Sequence, residues 1–339
     1  MDEKRKGILY VGNNLVHKTK YTTTMETLSN LLSLEKFIVY KTSSKINKAY
    51  RLIDMCFSVL KYQNKIDYII IDTYSTSNFY YALIVANLAR LLNIKYIPIL
   101  HGGNLPQRLD NSKRASDLIF KNSYKNISPS EYLKYEFEKR GYFTTLIPNV
   151  ISLENYTYKK RTEIKPRLLY VRAFAEIYNP KMAVEVLFQV KKHHPNATLC
   201  MVGPDRDGSL KSVKALVGKL KLKDSIEFTG VLTKKEWHKK SEEYDIFINT
   251  TNIDNTPISV IEAMALGLPV VSTDVGGLPY LIENNVDGVL VPKESPSKMA
   301  DAIIKLIKEN DQRLASNARK KAETFGWNAV KIKWIDLLK

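Results

Sequence analysis

The sequence predicts an α/β chain built as two doubly wound domains. Short apolar runs alternate with longer amphipathic stretches from end to end, the pattern of repeated βαβ units. The 339 residues suggest two domains at about 150 residues each. The alternation also pauses once, over the polar stretch 148–165, and then restarts.

In the first half the strand-like runs are residues 7–11, 37–40, 68–71, 96–100 and 146–147, with helix-like segments at 24–34, 49–62, 78–92 and 130–140. Tyr68-Ile69-Ile70-Ile71 is apolar throughout, as expected of a parallel strand covered on both faces. Thr22, Thr23 and Thr24 read as a cap for the helix that follows. After the pause the strands are 168–171, 197–202, 226–228, 246–249, 269–272 and 288–291. We therefore expect domains over 1–150 and 151–326, with C-terminal strand edges facing a central cleft. Segment 327–339 carries Val330, Ile332, Trp334, Ile335 and Leu338 at helical spacing and needs a surface, on its own domain or the first.

Composition excludes several classes. With 44% hydrophobic and 26% charged residues the chain can build a full core. Cys56 and Cys200 stand far apart and match no metal-ligand spacing, so a zinc site is not expected. The start, Met1 to Val11, lacks the pattern of a secretory signal, and no run approaches 18 apolar residues. A cytoplasmic protein is expected. The net charge is +17, with +10 in 1–150 and +7 in 151–339, which attracts anionic partners without naming them. A Walker-type loop, a Gly-x-Gly-x-x-Gly after the first strand and a Gly-x-Ser-x-Gly elbow are all absent.

The most informative stretch runs from Asp254 to Gly277, DNTPISVIEAMALGLPVVSTDVGG. It reads as loop, helix, strand and glycine-rich loop. Thr256 can cap the helix and Pro257 suits its first position. The free N–H groups of Ile258 and Ser259 would then make an anion site fit for a diphosphate. Glu262, one turn on, would reach a ribose, and Asp254 lies in the loop facing the cleft. Elsewhere Arg172 ends a strand, where its planar fork could bond two phosphate oxygens. Gly230 follows another strand. His101-Gly102-Gly103 follows a buried strand and lets a ligand approach the backbone.

The stretch 254–277 closely resembles the donor-binding signature of glycosyltransferase family 4, retaining sugar-nucleotide transferases of the GT-B fold. The resemblance continues through Pro279 and Asp287-Gly288-Val289-Leu290-Val291 and is strong over 166–295. It implies a GT-B architecture with a first domain on the acceptor side and a second that binds the nucleotide sugar. It implies that Glu262 binds ribose hydroxyls and that Asp254, where the family has Glu, meets the sugar ring. Arg172 would hold the diphosphate. The family's lysine positions are Ile177 and Tyr178 here, leaving Lys181 as a replacement. Gly230 would lie in the loop whose backbone contacts the base, His101 beside the donor sugar, and Gly12 and Asn13 in the loop facing the acceptor. The implied donor is a UDP- or GDP-sugar, and the acceptor a glycan or lipid-linked hydroxyl in bacterial surface polysaccharide assembly. Positive charge from Arg172 and the helix start makes a metal unnecessary, with no Asp-x-Asp motif placed to hold one; no cofactor is implied.

Two other readings stay open on the residues alone. A non-hydrolysing nucleotide-sugar epimerase shares the fold but uses more acidic residues near the sugar. A basic nucleic-acid-binding protein would fit the charge, yet no reading module is recognisable, so no nucleic acid is expected as a partner. The charge also suggests peripheral attachment to an anionic membrane: Lys45, Lys48 and Arg51 share one helical spacing, and Arg108, Lys113, Arg114, Lys121 and Lys125 crowd a second segment.

Overall fold

The computed structural model describes residues 5–14 and 23–339; Thr22 and most of the N-terminal segment lie outside the described residues. Two compact units emerge: Met1–Ile151 with Trp327–Lys339, and Ser152–Gly326.

The first unit carries a six-stranded parallel sheet in the order β2-β1-β3-β4-β5-β6. Its strands are β1 (Gly7–Val11), β2 (Ile38–Thr42), β3 (Tyr68–Tyr74), β4 (Lys95–His101), β5 (Asn126–Ser128) and β6 (Thr144–Leu146). β5, Asn126-Ile127-Ser128, has one apolar residue and does not stand out as an apolar run. On one face lie α2 (Lys48–Tyr62), α3 (Asn78–Leu91), α5 (Lys113–Phe120) and α6 (Glu131–Glu138), through Met55, Val59, Phe79, Ile119 and Phe137. On the other, α1 (Thr24–Leu34) and the C-terminal α14 (Trp327–Leu338) bury Met25, Leu28, Val330, Trp334 and Leu338 against Ile8, Tyr10 and Ile70. Thr23 caps α1, its hydroxyl accepting from the Glu26 N–H. The segment crowded by Arg108, Lys113 and Arg114 forms helices α4 (Leu105–Asn111) and α5.

The proposed basic face is corrected by this packing. Lys45 precedes α2, and Arg51 is buried, donating to the carbonyls of Lys45 and Ile46 and to Asn13 Oδ1. Arg108 is half-buried, donating to the Ser75 carbonyl over the Phe79 ring. Lys113, Arg114, Lys121 and Lys125 are exposed.

The second unit repeats the plan in the order β12-β11-β10-β7-β8-β9. Here the strands are β7 (Arg167–Val171), β8 (Thr198–Val202), β9 (Ile226–Gly230), β10 (Ile246–Asn249), β11 (Val270–Thr273) and β12 (Val289–Val291). α7 (Pro180–Lys191), α8 (Ser209–Lys219) and α12 (Pro296–Glu309) bury Val186, Leu187, Val213, Met299 and Ile303 against one sheet face.

The polar pause is not a loose linker. Tyr156, Arg161 and Ile164 within it are buried. Arg161 donates to the carbonyls of Tyr244, Ser241 and Gly267 at 2.9, 3.0 and 2.8 Å. Burial pushes its pKa down to about 10.

Candidate active site

In the second sheet β8 and β9 extend from one side of β7, and β10 to β12 from the other. The crevice beyond the C-terminal ends of β7 and β10 is therefore the topological switch point, where open α/β sheets bind ligands. Arg172 is the first residue after β7, and the loop 250–257 follows β10. Arg172 is ion-paired with Asp254 and its guanidinium lies 4.3 Å from the Tyr178 ring centre. Its Nε is buried without a partner among the described residues. Burial opposes the Arg172 charge, but Asp254 and Tyr178 outweigh it and hold the guanidinium pKa above its usual value. The site thus joins two of the residues singled out in the sequence, and adds Tyr178, which occupies a family lysine position with a ring instead of a charge.

The paired glycines of the signature support this loop. A Cβ at Gly277 would stand 1.8 Å from the Asn255 carbonyl oxygen. At Gly276, whose φ is +55°, it would stand 2.1 Å from the Asp254 carbonyl oxygen. Only glycine lets the two segments approach so closely.

Helix α10 (Ile258–Ala265) starts one residue later than its sequence suggests. Pro257 takes the N-cap position with extended ψ, and no side chain caps the helix. The expectation that Thr256 caps it fails because Thr256 then lies one residue too far out. The Thr256 and Ser259 hydroxyls are buried without partners among the described residues. With the N–H groups of Ile258 and Ser259 they gather donors at the positive end of the helix dipole, an arrangement suited to anionic oxygens.

Glu262, buried one turn further on, accepts from the Tyr156 hydroxyl through Oε1 at 2.6 Å. Lys234 Nζ stands 2.8 Å from the same oxygen. Burial, then Glu262, pushes the Tyr156 pKa up, so its hydroxyl stays a donor. His238 packs 4.5 Å from the Tyr156 ring with Nε2 buried and unpartnered among the described residues; burial pushes its pKa down. None of these three is visible in the sequence. Tyr156 lies in the polar pause, and Lys234 and His238 sit on α9 (Lys234–Ser241), which reads as solvated.

Gly230 ends β9 with φ +69°, its carbonyl accepting from the Gly203 N–H at 2.9 Å. Lys181 is exposed on the first turn of α7, away from any described ion pair. Asp205-Arg206-Asp207 uses its carboxylates at the start of α8, accepting from the N–H groups of Gly208 and Ser209 and from that of Glu176.

In the first unit the switch point falls between β1 and β3. His101 ends β4, buried, with Nε2 2.8 Å from Asp72 Oδ1. The Tyr10 hydroxyl donates to the same oxygen at 2.9 Å, and the His101 ring stacks on Tyr74 at 4.8 Å. A Cβ at Gly12 would stand 2.6 Å from Asp72 Oδ2, so Gly12 makes room for this carboxylate. Asn13 is engaged by Arg51. Asp72 is the residue that sequence reasoning passed over. Its signal is a carboxylate directly ending an apolar strand run.

Residues 157–324 match the family described as glycosyl transferases group 1. The amylovoran biosynthesis glycosyltransferase AmsK of Erwinia amylovora is 26% identical over 247 residues, covering 68% of this chain and 60% of that protein. Spore coat protein SA of Bacillus subtilis is 27% identical over 177 residues, covering 49% and 46%. The chain thus spans less than two thirds of the length of these curated relatives. Among solved structures, Anabaena HepE in complex with UDP and glucose superposes with a TM-score of 0.78 at 18% identity, covering 98% of this chain and 99% of that one. Sucrose-phosphate synthase of Thermosynechococcus elongatus gives 0.81 at 16% identity, covering 98% of both. Over residues 157–324 the chain matches the model of the glycosyl transferases group 1 family, and its two parallel six-stranded sheets with their helices are those of the GT-B fold.

Proposed function

We propose that the protein is a retaining glycosyltransferase, moving a sugar from a nucleoside diphosphate sugar to a hydroxyl of a glycan or lipid-linked acceptor. The observation that carries this is the uncapped start of α10, with two buried hydroxyls lacking partners among the described residues, at the same sheet edge as Arg172. A diphosphate supplies the acceptors these donors lack. In the reaction the bond from the anomeric carbon to the diphosphate oxygen breaks and the acceptor oxygen bonds the same face. The acceptor proton passes to the departing phosphate. Arg172 and the N–H groups of Ile258 and Ser259 stabilise the charge that develops there, so the step needs neither metal nor cofactor. Glu262 takes the ribose, Gly230 lines the base through its backbone, and Asp254 meets the sugar ring. His101 is held by Asp72 at the end of β4, and the loop at Gly12 and Asn13 faces the acceptor. HepE with UDP and the AmsK name favour a UDP-sugar and surface polysaccharide assembly. We place the protein in the cytoplasm, peripherally on the inner face of an anionic membrane; no helix among the described residues is long and apolar enough to cross one.

A thermal-shift panel of UDP, GDP, ADP and their sugars tests the reading. At 100 times its dissociation constant the right ligand stabilises the protein by about 2.7 kcal/mol; no shift with any of them overturns it. Glu262→Ala is expected to weaken nucleoside diphosphate binding by roughly 1.5–3 kcal/mol in titration calorimetry, the loss of charge-assisted hydrogen bonds. Equal affinity in a folded variant removes Glu262 from the site. Lys181→Ala, exposed and off the family spacing, is expected to lower turnover less than Arg172→Ala in the same assay.

A further inference from the structure

Helix α2 faces solvent with an apolar stripe. Ile46 just before it, then Tyr50, Ile53 and Phe57 on it, are 63%, 67%, 62% and 61% exposed, and Leu60 continues the line. Their spacing of three and four residues places them on one side of a helix. That is the reverse of an ordinary surface helix, whose single apolar face is spent on the core. α2 has such a core face as well, through Met55 and Val59, so the stripe is a second apolar surface without a partner in the unit. The neighbouring α3, linked to α2 by the Tyr81 hydroxyl on the Lys48 carbonyl, extends the surface with exposed Tyr80, Ile84 and Leu91.

The exposed charges of α2, of α3 and of the turn before α2 have one sign. Lys45, Lys48, Lys61 and Lys65 flank the stripe, all exposed. The only carboxylate of α2, Asp54, is half-buried and accepts from Thr42 Oγ1; α3 has none. A second copy of this chain would set these lysines against each other, and like charges across an interface are repulsive. An anionic bilayer offers the opposite charge to the lysines and a hydrocarbon boundary to the stripe.

We infer that α2 inserts its Ile46-Tyr50-Ile53-Phe57-Leu60 stripe into an anionic membrane interface, with the flanking lysines on the lipid headgroups. The inference rests on the membrane-attached reading above and is independent of glycosyl transfer. It differs from adsorption by charge alone, because an inserted stripe leaves a component that salt does not screen.

The test is flotation of the full chain with vesicles of phosphatidylcholine containing 0–50% phosphatidylglycerol, at about 50 and 500 mM NaCl, for the wild type and for I53Q/F57Q/L60Q. All three positions are exposed, so the variant retains its melting temperature. The expected result is binding that rises with the anionic fraction, a residue of it at high salt, and at least a roughly tenfold lower partition coefficient in the variant. Each large apolar side chain withdrawn from water contributes about 1.5–3 kcal/mol when fully buried. UDP titration of both proteins is expected to agree within error. Wild-type partition retained by the folded variant overturns the inference and leaves charge adsorption as the mode. No binding by either protein overturns the membrane reading as well, and an apparent dimer that the variant abolishes assigns the stripe to a second copy. Loss of UDP binding in the wild type would count against the nucleotide reading alone.

Discussion

Arg172→Ala is expected to lower turnover at least about 100-fold with the donor saturating, the scale for deleting one charge donor aimed at a developing anion. The guanidinium sits at the switch point, its charge upheld by Asp254 and Tyr178 and its Nε unpartnered among the described residues. Deleting it also leaves Asp254 without its cation, so lost activity could reflect a stray carboxylate. Arg172→Lys separates the two. It keeps a positive charge beside Asp254 but loses the planar fork that grips two phosphate oxygens. Turnover should stay well below wild type in the lysine variant while its melting temperature recovers. Rates near wild type in both folded variants remove Arg172 from the diphosphate.

The second large effect is on stability. Arg161→Met strips a buried cation from the carbonyls of Tyr244, Ser241 and Gly267, and from Asp245 at 3.7 Å. Methionine fills much of the volume and offers no donor. Asp245 keeps Arg167 at 2.7 Å, but stranding three buried carbonyls at roughly 1–3 kcal/mol each costs about 3–5 kcal/mol. For a unit of this size that lowers the melting temperature by roughly 6–20 °C. Lysine is not expected to rescue it, because a single ammonium cannot span three carbonyls on two separate segments. Calorimetry of the full chain follows the transition, and a shift under 2 °C would mean that water replaces the guanidinium.

The alternation of runs was enough to specify most strands and helices, because a strand in a parallel sheet is buried on both faces and reads as apolar. β1 and β10 fall at the predicted residues, and β7, β8 and β11 within one residue at either end. Three-residue β5 escaped, since Asn126-Ile127-Ser128 has a single apolar side chain. The signature at 254–277 was legible for a local reason: the loop, α10, β11 and the glycine pair are consecutive, so one stretch of sequence carries them.

What the sequence by itself determined is the parallel α/β class and the signature stretch at 254–277. Only tertiary structure decided which partners those residues have. Arg172 reaches Asp254 because β7 and β10 are neighbours in the sheet, although 82 positions separate the two residues. Tyr156 reaches Glu262 across 106 positions, from the polar stretch where the alternation pauses. Asp72 and His101 meet because β3 and β4 pair in register, Tyr74 opposite His101. Arg51 and Lys48 lie on one helix with the same charge, yet one is buried on Asn13 and the other exposed. Periodicity follows from the chain's own geometry and is written locally. Pairing between distant residues depends on strand order and register, which no local pattern of charge or hydrophobicity encodes.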